Sequence, residues 1–264
     1  MTGIMFLYNN LLDAAILTAS SAATGFPASN LQNPFRSKVW RTAGATAGTA
    51  SVIIDHATAK AVTCVALIGY NWASAPGTLN FDMDAAATFD SGAGGAPEFS
   101  QALTWAANPT ANGNPGIIVK TFASLSKRYN RLNVVYSPGA TPTDWDLGRI
   151  FVGTYFEPAL SYKRSHRVDI ADPSYVLTTI GGQDHVDEVT KYRVRDFRCM
   201  AKTRAQWESF MAMINHVGKR KDLIIAFDYD NEPAEETIYG KFTSLPGMQY
   251  GPIMDLPFTF KESR

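Results

Sequence analysis

Residues 28–72 read ASNLQNPFRSKVWRTAGATAGTASVIIDHATAKAVTCVALIGYNW, and the parsing of this stretch decides the fold. A polar turn at 29–34 ends on Pro34, which disfavours a helix before it and leads the chain, extended, towards Val39 and Trp40. Two apolar bursts follow a run of small residues, one at 52–55 and one at 62–69. Each is short, rich in β-branched residues, bounded by small or polar residues and without a helical period, the pattern of buried strands. Trp40 reads as a core residue of the same layer.

Working outward, residues 3–8 are an apolar run expected to be an opening strand, and 13–25 are small and polar, expected to be loop. Residues 78–84 alternate, placing Leu79, Phe81 and Met83 inward and Asn80, Asp82 and Asp84 outward. Residues 85–116 read as a long loop around a short strand at 103–105. Further strands are expected at 116–122, 129–136 and 146–156. Many short strands with turn signals between them predict an all-β sandwich or jelly roll.

The chain has 264 residues, 45% of them hydrophobic and 12% aromatic, enough to build a substantial core. The formal net charge of zero argues against a dominant electrostatic attraction to nucleic acid or anionic membrane. No apolar run reaches the ~18 residues of a spanning helix. The first residues lack a basic leader, so no signal peptide and no membrane insertion are expected. Cys64 and Cys199 sit in apolar strand-like runs and are expected as buried thiols, in keeping with a reducing cytosol. Charged residues concentrate after about residue 150, and Pro158 breaks a strand pattern. Two domains follow from this, 1–158 and 159–264.

In the second part, strands are expected at 165–171 and 175–180, then one long strand over 186–200, bulged near Arg195. Val189, Tyr192, Val194, Phe197 and Cys199 weakly alternate with Lys191, Arg193, Arg195 and Arg198. One helix is expected at about 203–218. Thr203 suits its N-cap and Gln206 a capping box, while Trp207, Phe210, Met211, Ile214 and Val217 line one face and Gly218 follows. Strands at 223–227, 237–245 and 255–261 complete a β domain with one packed helix. The fold class is therefore mainly β.

Catalytic patterns are sparse. Asp82 and Asp84 share a strand face, as a glycosidase carboxylate pair would, but such neighbours are commonly a solvent face. Asp228, Asp230 and Glu232 begin like a calcium loop, yet Pro233 stands where glycine is needed, so a solvated turn is expected. The four histidines lack metal-ligand spacing, and neither a nucleophile elbow nor a phosphate-binding glycine loop occurs. No enzyme, metal or cofactor is expected. Tyr70, Asn71, Trp72 and Trp105 lie near strand ends and are the candidate sugar contacts, with core or interface packing as the alternative for the aromatics.

Ala28-Ser29-Asn30-Leu31, Trp40-Arg41, Ile53-Ile54-Asp55 and Val65–Tyr70-Asn71, in that order, resemble a discoidin-like (galactose-binding-like) sandwich of the version found in tailed-bacteriophage structural proteins. The run Leu147-Gly148-Arg149-Ile150-Phe151-Val152-Gly153 resembles its closing strand. Asp55-His56-Ala57 and Gly69-Tyr70-Asn71 depart from the family's Asp-Leu-Gly and Gly-His-Asn. The element order of 159–264 resembles the tail-tube-like fold of distal tail and baseplate-ring proteins. The resemblance implies a non-enzymatic structural component of a virion tail, made in the host cytoplasm. It would form a homo-oligomeric ring with tail-tube, hub and receptor-binding partners and read no specific nucleic-acid sequence. On this view Lys191, Arg193, Arg195 and Arg198 face the ring lumen or an acidic partner, the alternative being a solvated face paired with local acids. Binding of host polysaccharide is the alternative function.

Overall fold

The computed structural model describes residues 3–43, 49–71, 77–104, 116–135, 145–158, 167–178, 180, 183–227, 236–245 and 254–263. The two bursts of the opening stretch are halves of a single 22-residue strand, β4 (Thr49–Tyr70). It lies beside β7 (Ile117–Val135) along almost its whole length. On its other side it meets β2 (Ile16–Ala19) with its first half and β8 (Asp146–Gly153) with its second. β3 (Trp40–Arg41), β5 (Thr78–Asp84) and β6 (Phe99–Ala102) complete a seven-stranded sheet that folds over its own core.

The fold-over depends on two register shifts in the β4–β7 pairing, between Asp55 and Lys60 and between Val62 and Cys64. Val52, Ile54 and Val62 face the sandwich core on even positions; beyond the second shift Val65 and Leu67 face it on odd ones. A side-chain period of two makes one inserted residue exchange the faces. The exchange releases Cys64, Ala66 and Ile68 to a different surface. Asp55 closes the first irregularity by accepting from the Ala57 N–H at 2.7 Å, with Ala57 at φ +61°.

The second sheet has the order β1-β13-β14-β15-β12-β9. These are β1 (Met5–Leu7), β13 (Leu223–Ala226), β14 (Thr237–Ser244), β15 (Met254–Glu262), β12 (Tyr192–Ala201) and β9 (Arg167–Ala171). The opening strand, expected in the first sandwich, thus pairs with β13, Met5 opposite Ala226 and Leu7 opposite Ile224. Its even residues Ile4 and Phe6 enter the core beneath α1 (Arg204–Val217), while Met5 and Leu7 meet Cys64, Ala66 and Ile68 of β4 on the reverse face. The molecule is therefore layered: sandwich, six-stranded sheet, helix. Among the described residues no helix is long and apolar enough to cross a membrane.

α1 has the caps expected of it. The Thr203 hydroxyl accepts from the Gln206 N–H at 3.3 Å, and Gly218 follows at φ +57°. Its buried residues are Phe210, Met213, Ile214 and Val217, with Trp207 and Met211 partly buried. Three other local expectations are corrected. Residues 13–25 contain β2, whose Ile16 and Ala19 look like loop residues until β4 supplies the partner. Residues 186–200 are not one strand: β11 (Asp184–Asp187) pairs with β10 (Tyr175–Thr178) as a separate hairpin, and β12 starts at Tyr192. β12 then runs against β15 without a bulge, Val194 opposite Lys261 through to Ala201 opposite Met254.

Two stability outcomes follow. Phe6→Ala opens a hole among Phe156, Phe197, Phe210 and Phe258, all within 6.4 Å ring to ring. Urea unfolding is expected to show a loss of about 3–5 kcal/mol. Ala57→Gly removes the cost of a side chain at positive φ and is expected to be neutral or stabilising, by up to about 1 kcal/mol.

Candidate functional site

Several strand ends of the sandwich carry polar side chains. Arg41 pairs with Asp146 across β3 and β8, and Tyr70 with Leu147 across β4 and β8. Thr49 and Thr78 both lie opposite Val135. The Leu103 N–H donates to Leu79 O at 2.8 Å, and Gly116 O accepts from the Gly69 N–H at 2.9 Å. These residues flank 44–48, 72–76, 105–115 and 136–144, which lie outside the described residues.

The polar groups where β3, β4 and β8 meet form a fixed cluster. Arg41 grips Asp146 with two bonds of 2.6 and 2.8 Å and lies 4.3 Å above the Phe26 ring. Asn71 Oδ1 accepts from the Asp146 N–H at 2.9 Å. Bidentate guanidinium–carboxylate geometry restrains both side chains, and half-exposed donors beside a ring suit hydroxyl-bearing ligands. Of the candidate sugar contacts, Tyr70 is only 4% exposed and belongs to the core beneath the surface. Asn71 is at the surface but spends its carbonyl on the frame. Trp72 and Trp105 lie outside the described residues. Trp145 is buried. Sequence reasoning missed Arg41 and Asp146; their signal was the charged residue next to each of two core tryptophans.

The four basic residues do not make one face. Arg195 is 3% exposed, points into the same side as Phe197 and Cys199, stacks over Phe227 and pairs with Glu236. Arg193 is held by the buried Glu262 carboxylate at 3.1 Å. Lys191 and Arg198 are exposed and pair with Asp172 and Asp255 at 3.1 and 2.9 Å. Arg193 and Arg195 alternate in step with the buried Phe197 and Cys199 along β12, so these arginines sit on the inner face. The expectation of a lumen- or partner-facing row is corrected for Arg193 and Arg195, which locally neutralise acids.

The strand carboxylates lie on the face of β5 opposite Leu79, Phe81 and Met83, as alternation predicts, but that face is covered and both are buried. Asp82 accepts from Arg131 at 2.7 Å and from Ser100 at 2.7 Å, tying β5 to β7 and β6. Asp84 accepts from the backbone N–H groups of Ala86, Ser91 and Glu98 and so organises the turn after β5; burial raises its pKa, but these donors win and hold it below the usual carboxylate value. Cys64 and Cys199 are free and buried, and burial pushes the Cys64 thiol up to about 12 and Cys199 up as well. Among the described residues no group of three or more His, Cys, Asp or Glu side chains could hold a metal. Asp228, Asp230 and Glu232 lie outside the described residues.

A second concavity, of about 360 Å³, lies where the sandwich meets α1 and β13. Arg149 crosses it, donating to Gln32 O at 2.8 Å and to both Asp13 oxygens at 3.0 Å. Tyr239 closes it by donating to Pro34 O at 3.0 Å. Arg149 is thus committed within the sandwich, and the Tyr239 hydroxyl joins the two layers. His216 lines the same cleft, edge-on to Tyr8, with its Nε2 3.3 Å from Lys221 Nζ. Desolvation, then Lys221, lowers its pKa.

No protein-family model and no curated protein matches the chain. Among solved structures, chitosan-binding module 1 of a chitosanase/glucanase from Paenibacillus sp. IK-5 is similar at 22% identity and TM-score 0.42, covering 56% of this chain and 100% of that one. The family 32 carbohydrate-binding module of NanJ from C. perfringens, in complex with galactose, is similar at 12% identity and TM-score 0.40, covering 58% and 99%. The lectin domain of lectinolysin, complexed with Lewis B antigen, is similar at 15% identity and TM-score 0.39, covering 55% and 95%. These are likenesses of strand arrangement over little more than half the chain.

The cleft histidine gives a pH signature. With its folded pKa below the ordinary 6.5, the unfolded chain takes up the proton first, so stability is full above that value and falls on acidification through it. Thermal melting from pH 7.5 to 5.5 is expected to show a smaller acid loss in His216→Gln than in the wild type; equal losses would exclude His216 as a source.

Proposed function

We propose that this chain is a non-enzymatic structural subunit of a larger particle, with the sandwich as the presented module and the second sheet as the part that assembles. One observation carries the reading. The hairpin of β10 and β11 is exposed on both faces, with Tyr175, Leu177, Val176 and Val186 all in contact with solvent. A lone two-stranded hairpin is marginal in water, and apolar patches of this kind mark interaction surfaces. The sequence resemblance of residues 1–158 to tailed-phage proteins supports assigning the particle to a virion tail, with tail-tube, hub and receptor-binding proteins as neighbours. Gold-labelled antibody against this chain is expected to decorate one level of the tail in electron micrographs of intact virions. Unlabelled, fully assembled tails would rule the assignment out.

Carbohydrate binding is the second reading, favoured by the Arg41–Asp146–Asn71 cluster at the strand end that Trp72 follows directly in sequence. It is compatible with the first, since a tail protein facing a cell meets polysaccharide. On a glycan array, Trp72→Ala and Trp105→Ala are each expected to weaken binding by up to about tenfold, the worth of one stacked ring. Binding that survives both substitutions would move the ligand elsewhere.

A further inference from the structure

The hairpin's composition says what should cover it. Residues 174–190 carry three carboxylates, Asp184, Asp187 and Glu188, and no Lys or Arg, alongside Tyr175, Val176, Leu177, Val186 and Val189. Asp187 and Glu188 form no ion pair among the described residues. The base is fastened: Ser174 Oγ accepts from the Val189 N–H at 3.0 Å, and Lys191 pairs with Asp172 at 3.1 Å. The hairpin is thus a firmly rooted, acidic and apolar projection that the described residues do not cover.

The opposite composition occurs on the reverse face of the second sheet. A groove of about 430 Å³ there is lined by Arg36, Lys219, Lys241 and Lys261, with Phe35, 66% exposed, at its edge. Two acids also line it, and both are committed: Asp222 accepts from the Ser263 hydroxyl at 2.7 Å and lies 3.6 Å from Lys241, and Glu262 is held by Arg193. Lys219 forms no ion pair among the described residues, and Lys261 only rests over the Tyr192 ring at 4.1 Å. The groove is therefore net basic with an apolar anchor. The chain as a whole has formal charge zero, so the two surfaces are a segregated and complementary pair.

We propose that the β10–β11 hairpin of one copy seats in the Phe35–Lys219–Lys261 groove of a second copy. The inference rests on the assembly reading above and names its partner. Hairpin and groove are different patches, so the contact is heterologous, and repetition gives a ring if the rotation closes or a filament if it does not. Leu177 or Val186 would meet Phe35, and Asp187 and Glu188 would meet Lys219 and Lys261.

A mixing experiment tests this. A hairpin variant carries Leu177→Asp and Val186→Asp; a groove variant carries Lys219→Glu and Lys261→Glu. All four positions are on the surface, and circular dichroism and melting confirm that both variants fold. By sedimentation velocity the wild type is expected to form species larger than a dimer at concentrations up to about 100 μM, above the micromolar dissociation constants of weak interfaces. It should dissociate as salt is raised, because screening shortens the reach of exposed charges. Each variant alone should weaken self-association by about tenfold or more. Mixed one to one they should yield a dimer and nothing larger, since each molecule brings one intact surface. A groove variant that associates like the wild type, a mixture that gives no dimer, or a wild type that stays monomeric throughout would each overturn the contact. An acidic polysaccharide that binds the groove while the protein remains monomeric would also overturn it, by giving the groove another occupant. A monomeric protein still found in the virion loses this contact and keeps the assembly reading; absence from the virion removes the reading itself.

Discussion

In the second half of β4, Val65 and Leu67 face the sandwich core while Cys64, Ala66 and Ile68 face the second sheet, and neither side sees water. This double burial is the constraint on which the architecture depends. A strand covered on both faces must be apolar throughout, which is why residues 62–69 carry no charge. Each large side chain so covered contributes about 1.5–3 kcal/mol. The first half of the same strand has only one covered face and accordingly alternates, with Ser51, Ile53 and Asp55 on its half-buried positions. The register shifts between the halves let one chain segment obey both rules.

Polar contacts then fix how the layers sit. Arg149 ties β8 to the turns around Asp13 and Gln32, and Tyr239 ties the second sheet to Pro34. Neither bond has large net worth in itself, since each replaces bonds to water. Arg149 holds the sandwich's own turns in place, and the Tyr239 hydroxyl would be left unsatisfied if the layers slid, so it selects one alignment of two otherwise slippery apolar surfaces. Arg193 with Glu262 and Arg195 with Glu236 act in the same way inside the second sheet. Charge that looks like a binding surface in the sequence is here spent on registration.

Much of the strand inventory was legible. Short β-branched bursts, the alternation of 78–84 and the cap of α1 report local physics, and local physics decides them. Pairing partners were not legible, because a run such as residues 3–8 says strand without saying whose neighbour it is. The facing of polar strand residues was also hidden. Asp82 and Asp84 lie on the outer side of β5 yet are buried, and Arg193 and Arg195 point inward, because a partner waits for each, which no spacing rule encodes. At the candidate site, Asn71 was visible as a strand end, but its fixed bond to Asp146 joins residues 75 positions apart. The basic row dissolved for the same reason. Arg195 shares the inner side with Phe197 and Cys199, and the bulge expected near it, which β12 does not have, had assigned it the other side.

The pairing of β1 with β13 also sets a schedule. Met5, Phe6 and Leu7 are synthesised long before their partners Ala226, Ile225 and Ile224. Contacts of such wide sequence separation close slowly, and domains built N-terminal first usually avoid them. Here the sandwich can complete itself during synthesis, while an apolar three-residue strand waits at its border with one edge unpaired. The second sheet then forms against a surface that already exists. An early strand thus serves as the template for a later sheet, and a nascent protein stalled before residue 223 would carry an open, sticky edge that pairing with β13 closes.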